Sequence, residues 1–289
     1  MEPLHLGALE VRRVEEMLWP VPITFLFPQL GPADFAPHRD WLLPRFCTPE
    51  LGMVLSIHAF VVRTPHHTVL VDSCVGNDKE RAYPAWTRLQ TDFLQRLRRA
   101  GCAPEAVDYV FCTHLHGDHV GWNTRLVDGR WQPTFPKARY LFHRPEFEHW
   151  MRLPEAELPV QVRDSVLPIA EAGLHTLVEG DFALDDALRL EPTPGHTPGH
   201  CSVHLASRGA EAVITGDMIH HPVQVAEPQW PTRACSDPAR AVATRTDFLR
   251  RYADTGVQVL GTHFAPPTAC RIVSRSGSQS GAWRPDFGD

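Results

Sequence analysis

Lysine is scarce in this chain, so most of its positive charge is arginine. Its 28 basic and 34 acidic residues leave a formal net charge of -6. No Lys/Arg cluster accompanies aromatic residues, which argues against a nucleic-acid partner. No run approaches the roughly 18 apolar residues of a membrane helix, so no membrane partner is expected. No Cys-x-x-Cys pair occurs. The seven cysteines (Cys47, Cys74, Cys102, Cys112, Cys201, Cys235 and Cys270) are odd in number and scattered, which favours free thiols in a reducing compartment. Met1 to Gly7 lack the charged and apolar regions of a signal peptide. A cytoplasmic location is the expectation.

What is present is enough for a substantial core: 289 residues, 43% of them hydrophobic. That excludes wholesale disorder and allows one large domain or two small ones; we read residues 1–289 as one. Leu4 to Trp19 reads as one or two strands. Residues 20–50 hold seven prolines among Phe25, Phe27, Phe35, Trp41 and Phe46. They can form neither a long helix nor a central strand, and are expected to be an irregular arm, suited to a pocket wall or a homodimer contact. Val54–Val62 and Thr68–Asp72 read as paired strands, with His66 and His67 exposed in the turn. Pro84–Ala100 has one apolar face at helical spacing, stopped by Gly101. Ala138–Phe142 is a strand, Pro145–Met151 a short helix, and residues 160–172 are expected to be helical. Further strands are expected at Leu188–Glu191, Ser202–Leu205, Ala212–Thr215 and Val257–Leu260. Ser236-Asp237-Pro238 opens a helix with a capping side chain and a proline in its first turn. Residues 274–289 read as a flexible tail.

The densest chemistry is Thr113-His114-Leu115-His116-Gly117-Asp118-His119, directly after the buried-strand pattern Val107–Cys112. Side chains two apart on an extended chain point the same way, so His114 and His116 face one point. Gly117 is expected to let the backbone turn tightly, bringing Asp118 and His119 back toward that point. Neutral imidazole and carboxylate are donors that zinc and similar ions prefer. A single histidine on an apolar strand is usually a core residue; four ligand-type residues in six positions are poorly explained that way. His143, His149 and His175 lack partners at ligand spacing and read as structural or surface residues.

His114–His119 is similar to the His-x-His-x-Asp-His signature of the metallo-β-lactamase superfamily. The run Thr193-Pro194-Gly195-His196-Thr197-Pro198-Gly199-His200, then Thr215-Gly216-Asp217, then Gly261-Thr262-His263, resembles that superfamily's later metal motifs in chain order. The resemblance implies an α+β fold, a four-layer αβ/βα sandwich built from two similar halves. It also implies two divalent metal ions. His114, His116 and His196 would hold one, and Asp118, His119 and His263 the other, with Asp217 bridging. Zinc is expected, while manganese, cobalt or iron suit the same donors. Two such ions about 3.5–4 Å apart share a water and lower its pKa from about 15.7 towards about 7, making a hydroxide nucleophile. Asp72 either supports the metals from behind or simply forms a turn. His200 is expected to be structural.

Departures from the pattern narrow the chemistry. Asp217 stands where penicillin-cleaving relatives often have cysteine. The stretch Asp217–Gln224 resembles the lactonase and methyl parathion hydrolase subgroup. Acyl-homoserine lactonases often carry tyrosine at the position of His220, which leans the resemblance toward the methyl parathion hydrolase side. Asp118 and His220 are the candidate catalytic residues. His220 either donates a hydrogen bond to the developing oxyanion or leaving group, or packs behind the metals; His221 is expected to lie outside the ligand set. The expected activity is hydrolysis of a lactone or small ester, with promiscuity toward phosphotriesters. The alternatives are a thioester hydrolase of the glyoxalase II kind, a β-lactam hydrolase, or a non-catalytic metal-binding protein.

Overall fold

The structure is a computed structural model and describes residues 2–275 and 282–288. Two compact units emerge: one from Glu2–Met17 and Ile57–Phe182, the other from Leu18–Ser56 and Ala183–Asp289.

The first unit centres on a seven-stranded sheet in the order β1-β2-β3-β4-β5-β8-β9. Its strands are β1 (Leu4–Leu6), β2 (Leu9–Val21), β3 (Met53–Arg63), β4 (Thr68–Val71), β5 (Tyr109–Cys112), β8 (Arg139–His143) and β9 (His175–Val178). β3 and β4 are an antiparallel pair, as expected; β4, β5, β8 and β9 run parallel. β3 is buried from Leu55 to Val62, and β5 and β8 are nearly so. In β5 and β8, continuous burial on both faces is what parallel strands impose. The crossover from β5 to β8 carries a hairpin that the sequence pattern did not announce, β6 (Thr124–Val127) and β7 (Arg130–Pro133). Asp128 and Gly129, both at positive φ, turn it, the backbone a two-residue hairpin with the sheet's twist requires.

The helix expected over Pro84–Ala100 is shorter. Pro84–Trp86 is a single 3-10 turn and the α-helix covers only Phe93–Arg99. The residues between pair elsewhere: Arg88 N donates to Lys79 O at 2.7 Å, and Thr91 N to Asn77 Oδ1 at 2.8 Å. Arg88 sits at φ 53° to do so. Loop-to-loop hydrogen bonds override the apolar periodicity there. The helix expected over 160–172 forms in two pieces, Val160–Ser165 and Leu167–Glu171.

The second unit holds β10 (Ala183–Asp185), β11 (Leu188–Pro192), β12 (Cys201–Ser207), β13 (Ala210–Ile214), β14 (Gln258–Leu260), β15 (Ala269–Ser274) and β16 (Trp283–Asp286), paired in that order. Only β13 and β14 are parallel. Their crossover carries the helix Pro238–Tyr252, whose first turn is capped by the Asp237 side chain accepting from Arg240 N at 3.0 Å. The helix buries Ala241, Phe248, Leu249 and Tyr252 along one stripe.

The arm at residues 20–50 is irregular, with one-turn helices at Ile23–Leu26, Pro32–Phe35 and Arg39–Leu42. Phe27, Phe35, Leu42 and Phe46 are fully buried with Met53, Leu55, Val223 and Ala265. Each such side chain contributes roughly 1.5–3 kcal/mol of apolar burial, so the arm is core of its unit. The tail expected over 274–289 is corrected in part: Trp283–Asp286 pair antiparallel with β15, and Phe287 stacks on Phe46 with ring centroids 4.7 Å apart. Residues 276–281 and 289 lie outside the described residues.

Candidate metal centre

In the first unit the parallel strands β4 and β5 end side by side. The residues after them, Asp72 and Thr113-His114, therefore meet. Thr113 N donates to Asp72 Oδ1 at 2.8 Å, and His119 Nδ1 lies 2.9 Å from Asp72 Oδ2. A carboxylate accepts, so Nδ1 of His119 carries the ring proton and Nε2 is left as the lone-pair nitrogen, the arrangement that orients a metal ligand. Asp72 thus does more than turn the chain. The His114 ring lies 4.6 Å from that of His116 and 4.1 Å from that of His119. His114 and His116 present ligand atoms within 4.8 Å of each other, as do Asp118 and His119.

Glu146 was not anticipated. It is 1% exposed and its Oε1 accepts from Leu115 N at 3.1 Å and from Trp150 Nε1 at 2.9 Å. It thereby fixes the backbone between His114 and His116. No local signal announces it, because parallel pairing of β5 with β8 (Cys112 opposite Phe142) brings the helix Arg144–Met151 alongside. The expectation for Gly117 also changes. It opens the short helix Gly117–Val120 rather than a tight turn. A Cβ there would stand 3.0 Å from the Arg81 side chain, a tight contact that Arg81 would have to shift to relieve.

In the second unit, His196 sits in the loop between β11 and β12. Gly195, at φ 134°, lies where a Cβ would come within 2.4 Å of Ala241 N. The backbone must approach the start of the helix Pro238–Tyr252 that closely: Asp237 N donates to Gly195 O at 3.0 Å and Ser236 N to His196 O at 2.9 Å. Asp217 follows β13 through Gly216 at φ 54°, and His263 follows β14. Because these strands are parallel, both arrive at one edge. Asp217 collects three rings: His263 Nε2 is 3.1 Å from Oδ1, and His196 Nε2 and His220 Nε2 are 3.3 and 3.2 Å from Oδ2. His263 Nδ1 lies 2.9 Å from the Ser56 carbonyl oxygen, which can only accept, so Nδ1 bears the proton and Nε2 turns a lone pair toward the carboxylate. Lone pair against carboxylate is repulsive unless a cation or a further proton lies between them. The donor set therefore fits divalent metal ions.

The remaining histidines separate from this cluster. His220 is buried, and neither of its ring nitrogens meets hydrogen-bond geometry with a partner among the described residues. Burial lowers its pKa and favours the neutral ring. His200 Nε2 accepts from Asp217 N at 2.8 Å, and His221 Nε2 lies 2.9 Å from Phe46 O, spent on the arm. His175 stacks on Phe147 at 5.4 Å. His66 is exposed and His67 half-buried.

Residues 52–252 match the Metallo-beta-lactamase superfamily. The chain belongs to this superfamily. An N-acyl homoserine lactonase from Bacillus sp is 25% identical over 180 residues, which cover 58% of this chain and 65% of that relative, a little under two thirds of its length. Among solved structures, AidC, a dizinc quorum-quenching lactonase in complex with a product N-hexanoyl-L-homoserine, matches with a TM-score of 0.80 at 19% identity, over 98% of this chain and 96% of that one. The hydrolase AbOPH of the beta lactamase superfamily matches with a TM-score of 0.79 at 24% identity, over 99% and 98%. The metallo-β-lactamase fold expected from the motifs is the fold of this chain, with mixed helix and sheet in both units. Among the described residues, no helix is long and apolar enough to cross a membrane.

Proposed function

We propose that this metallo-β-lactamase superfamily member is a dinuclear metal-dependent hydrolase of lactones or small esters. His114, His116 and His196 would hold one ion, Asp118, His119 and His263 would hold the other, and Asp217 would serve both. The observation that carries this reading is the locking of the donors: Asp72 on His119 and Ser56 O on His263 leave Nε2 of both rings free of the proton. Zinc is the proposed metal. When bound, two divalent ions supply an activated water and a Lewis acid for the carbonyl. The chain's own part is to place its seven donors and to offer His220, neutral and beside Asp217, as a hydrogen-bond donor to the charge that develops on the substrate or leaving oxygen. Phosphotriesters are proposed as a promiscuous second substrate class.

The test is proton release by zinc-loaded protein with an acyl-homoserine lactone, an aromatic lactone and a phosphotriester in parallel. Chelator-sensitive turnover of a lactone is expected. Asp118→Ala or His263→Ala should abolish it while far-UV circular dichroism stays unchanged; wild-type activity in either variant would end the two-metal reading. Silence on all three substrates with two ions bound would point to thioesters or β-lactams as the substrates instead. The seven cysteines are buried free thiols, which supports the proposed cytoplasmic setting. The dimer proposed through residues 20–50 is tested by light scattering, where a monomer would remove it.

A further inference from the structure

His200 is fully buried at the start of β12, four residues after His196. Its Nδ1 lies 2.8 Å from Thr193 Oγ1 and 3.1 Å from the Thr193 carbonyl oxygen. The carbonyl only accepts, so Nδ1 carries the ring proton and Nε2 is the acceptor. The Asp217 N–H donates to that Nε2 at 2.8 Å. The turn is not helical at Asp217 (φ -87°, ψ 15°), and its N–H is met from outside by this ring. On the other side, Thr193 N donates to His200 O at 2.9 Å, which closes the loop that presents His196. Thr193 Oγ1 also lies 3.1 Å from Ser202 Oγ, which donates to Thr215 O at 2.8 Å. One ring and two hydroxyls thus tie the loop of His196 to the turn of Asp217. The side chains of that pair stand 3.3 Å apart, Nε2 to Oδ2.

We infer that His200 is a positioning residue that sets the spacing of His196 and Asp217, an inference that rests on reading those two as metal ligands. Its two nitrogens have separable tasks. Nδ1 holds the loop through Thr193, and Nε2 holds the Asp217 backbone. His200→Gln places a carbonyl oxygen near the Nε2 position and keeps the acceptor for Asp217 N–H. His200→Asn places its amide near the Nδ1 position and keeps the Thr193 contact, but abandons Asp217.

Zinc affinity of the full chain is read by chelator competition, with metal content by elemental analysis. His200→Gln should stay near wild type. His200→Asn should lose about 10–100-fold, the usual effect of removing a residue that orients a ligand, with unchanged circular dichroism. Equal affinities in the two variants, or wild-type affinity in both, would overturn the inference, since a ring that only fills space predicts no difference between them. If His200→Asn does not fold, Thr193→Val decides: a smaller loss in the same direction is expected, and no loss overturns the inference. Wild-type protein that binds no zinc would sink the ligand reading and this inference together. Wild type that binds two ions, with His200→Asn indifferent, would sink the inference alone.

Discussion

At the scale of single residues, the segments that carry the proposed metal ligands depend on side chains outside that set. Asp72 accepts from Thr113 N with one oxygen and faces His119 Nδ1 with the other. Asp72→Asn can keep the first contact while turning an amide N–H toward the ring N–H. Metal affinity should therefore fall by about 10–100-fold with the fold intact, measured by chelator competition beside circular dichroism. Unchanged affinity would show that His119 orients itself without Asp72. Glu146 has a comparable station under Leu115, but its grip is on backbone, so it constrains the His114–His116 segment as a whole.

At the scale of elements, the arm at residues 20–50 is informative because it behaves as core without regular structure. Phe35 is fully buried, stacks on Trp230 at 5.5 Å and lies 6.1 Å from the His221 ring. Phe35→Ala should destabilise the protein by about 3–5 kcal/mol, the range for emptying a packed phenylalanine site. The readout is the urea midpoint at unchanged slope; a cost below about 1 kcal/mol would mean the arm detaches before global unfolding. Arg245 performs the polar counterpart. It is buried on the helix Pro238–Tyr252 and donates to the carbonyls of Met218, Pro228 and Trp230, pinning the segment that follows Asp217. Burial without a carboxylate holds its pKa down to about 10, still charged at neutral pH.

At the scale of the whole molecule, two buried bases make stability depend on pH in the same direction. Burial holds His221 down to about 4, against about 6.5 in an unfolded chain. Burial likewise holds Lys79 down to about 7 against an unfolded value of about 10.4, despite the opposing pull of Asp164. Between each pair of values the unfolded chain binds a proton that the folded chain refuses. The contribution of His221 therefore falls as pH drops from about 6.5 to 4, and that of Lys79 rises from about pH 7 to 10, by up to about 1.4 kcal/mol per pH unit each; above about pH 8.5 the buried thiols, whose pKa values burial raises, pull the other way. Urea midpoints at pH 4.5, 6.5, 7 and 9 check this. His221→Gln should make the profile less steep than wild type in the acid window and Lys79→Met in the alkaline one; a variant profile parallel to wild type in its window would contradict the burial of that base.

Short-range pattern along the chain is enough to mark the proposed ligands and much of the local frame that carries them. His114, His116, Asp118 and His119 stand within six residues, and the strands before Thr113, Thr215 and Gly261 and the Asp237 cap are all readable from short-range pattern. These features are local in the chain, so spacing and residue type suffice. What stands behind them is set by contacts that exist only in the folded chain. Asp72 and Glu146 reach the first motif because β4, β5 and β8 run parallel with their ends aligned. His200 reaches Asp217 because β12 and β13 pair antiparallel in a register that sets Val203 opposite Ile214. The helix expected at Pro84–Ala100 shrank because residues 88–91 found partners in residues 77–79, and part of the expected tail became a strand because β15 offered it an edge. Such contacts join residues that are not neighbours along the chain, and strand pairing and loop-to-loop hydrogen bonds select them where periodicity along the chain cannot.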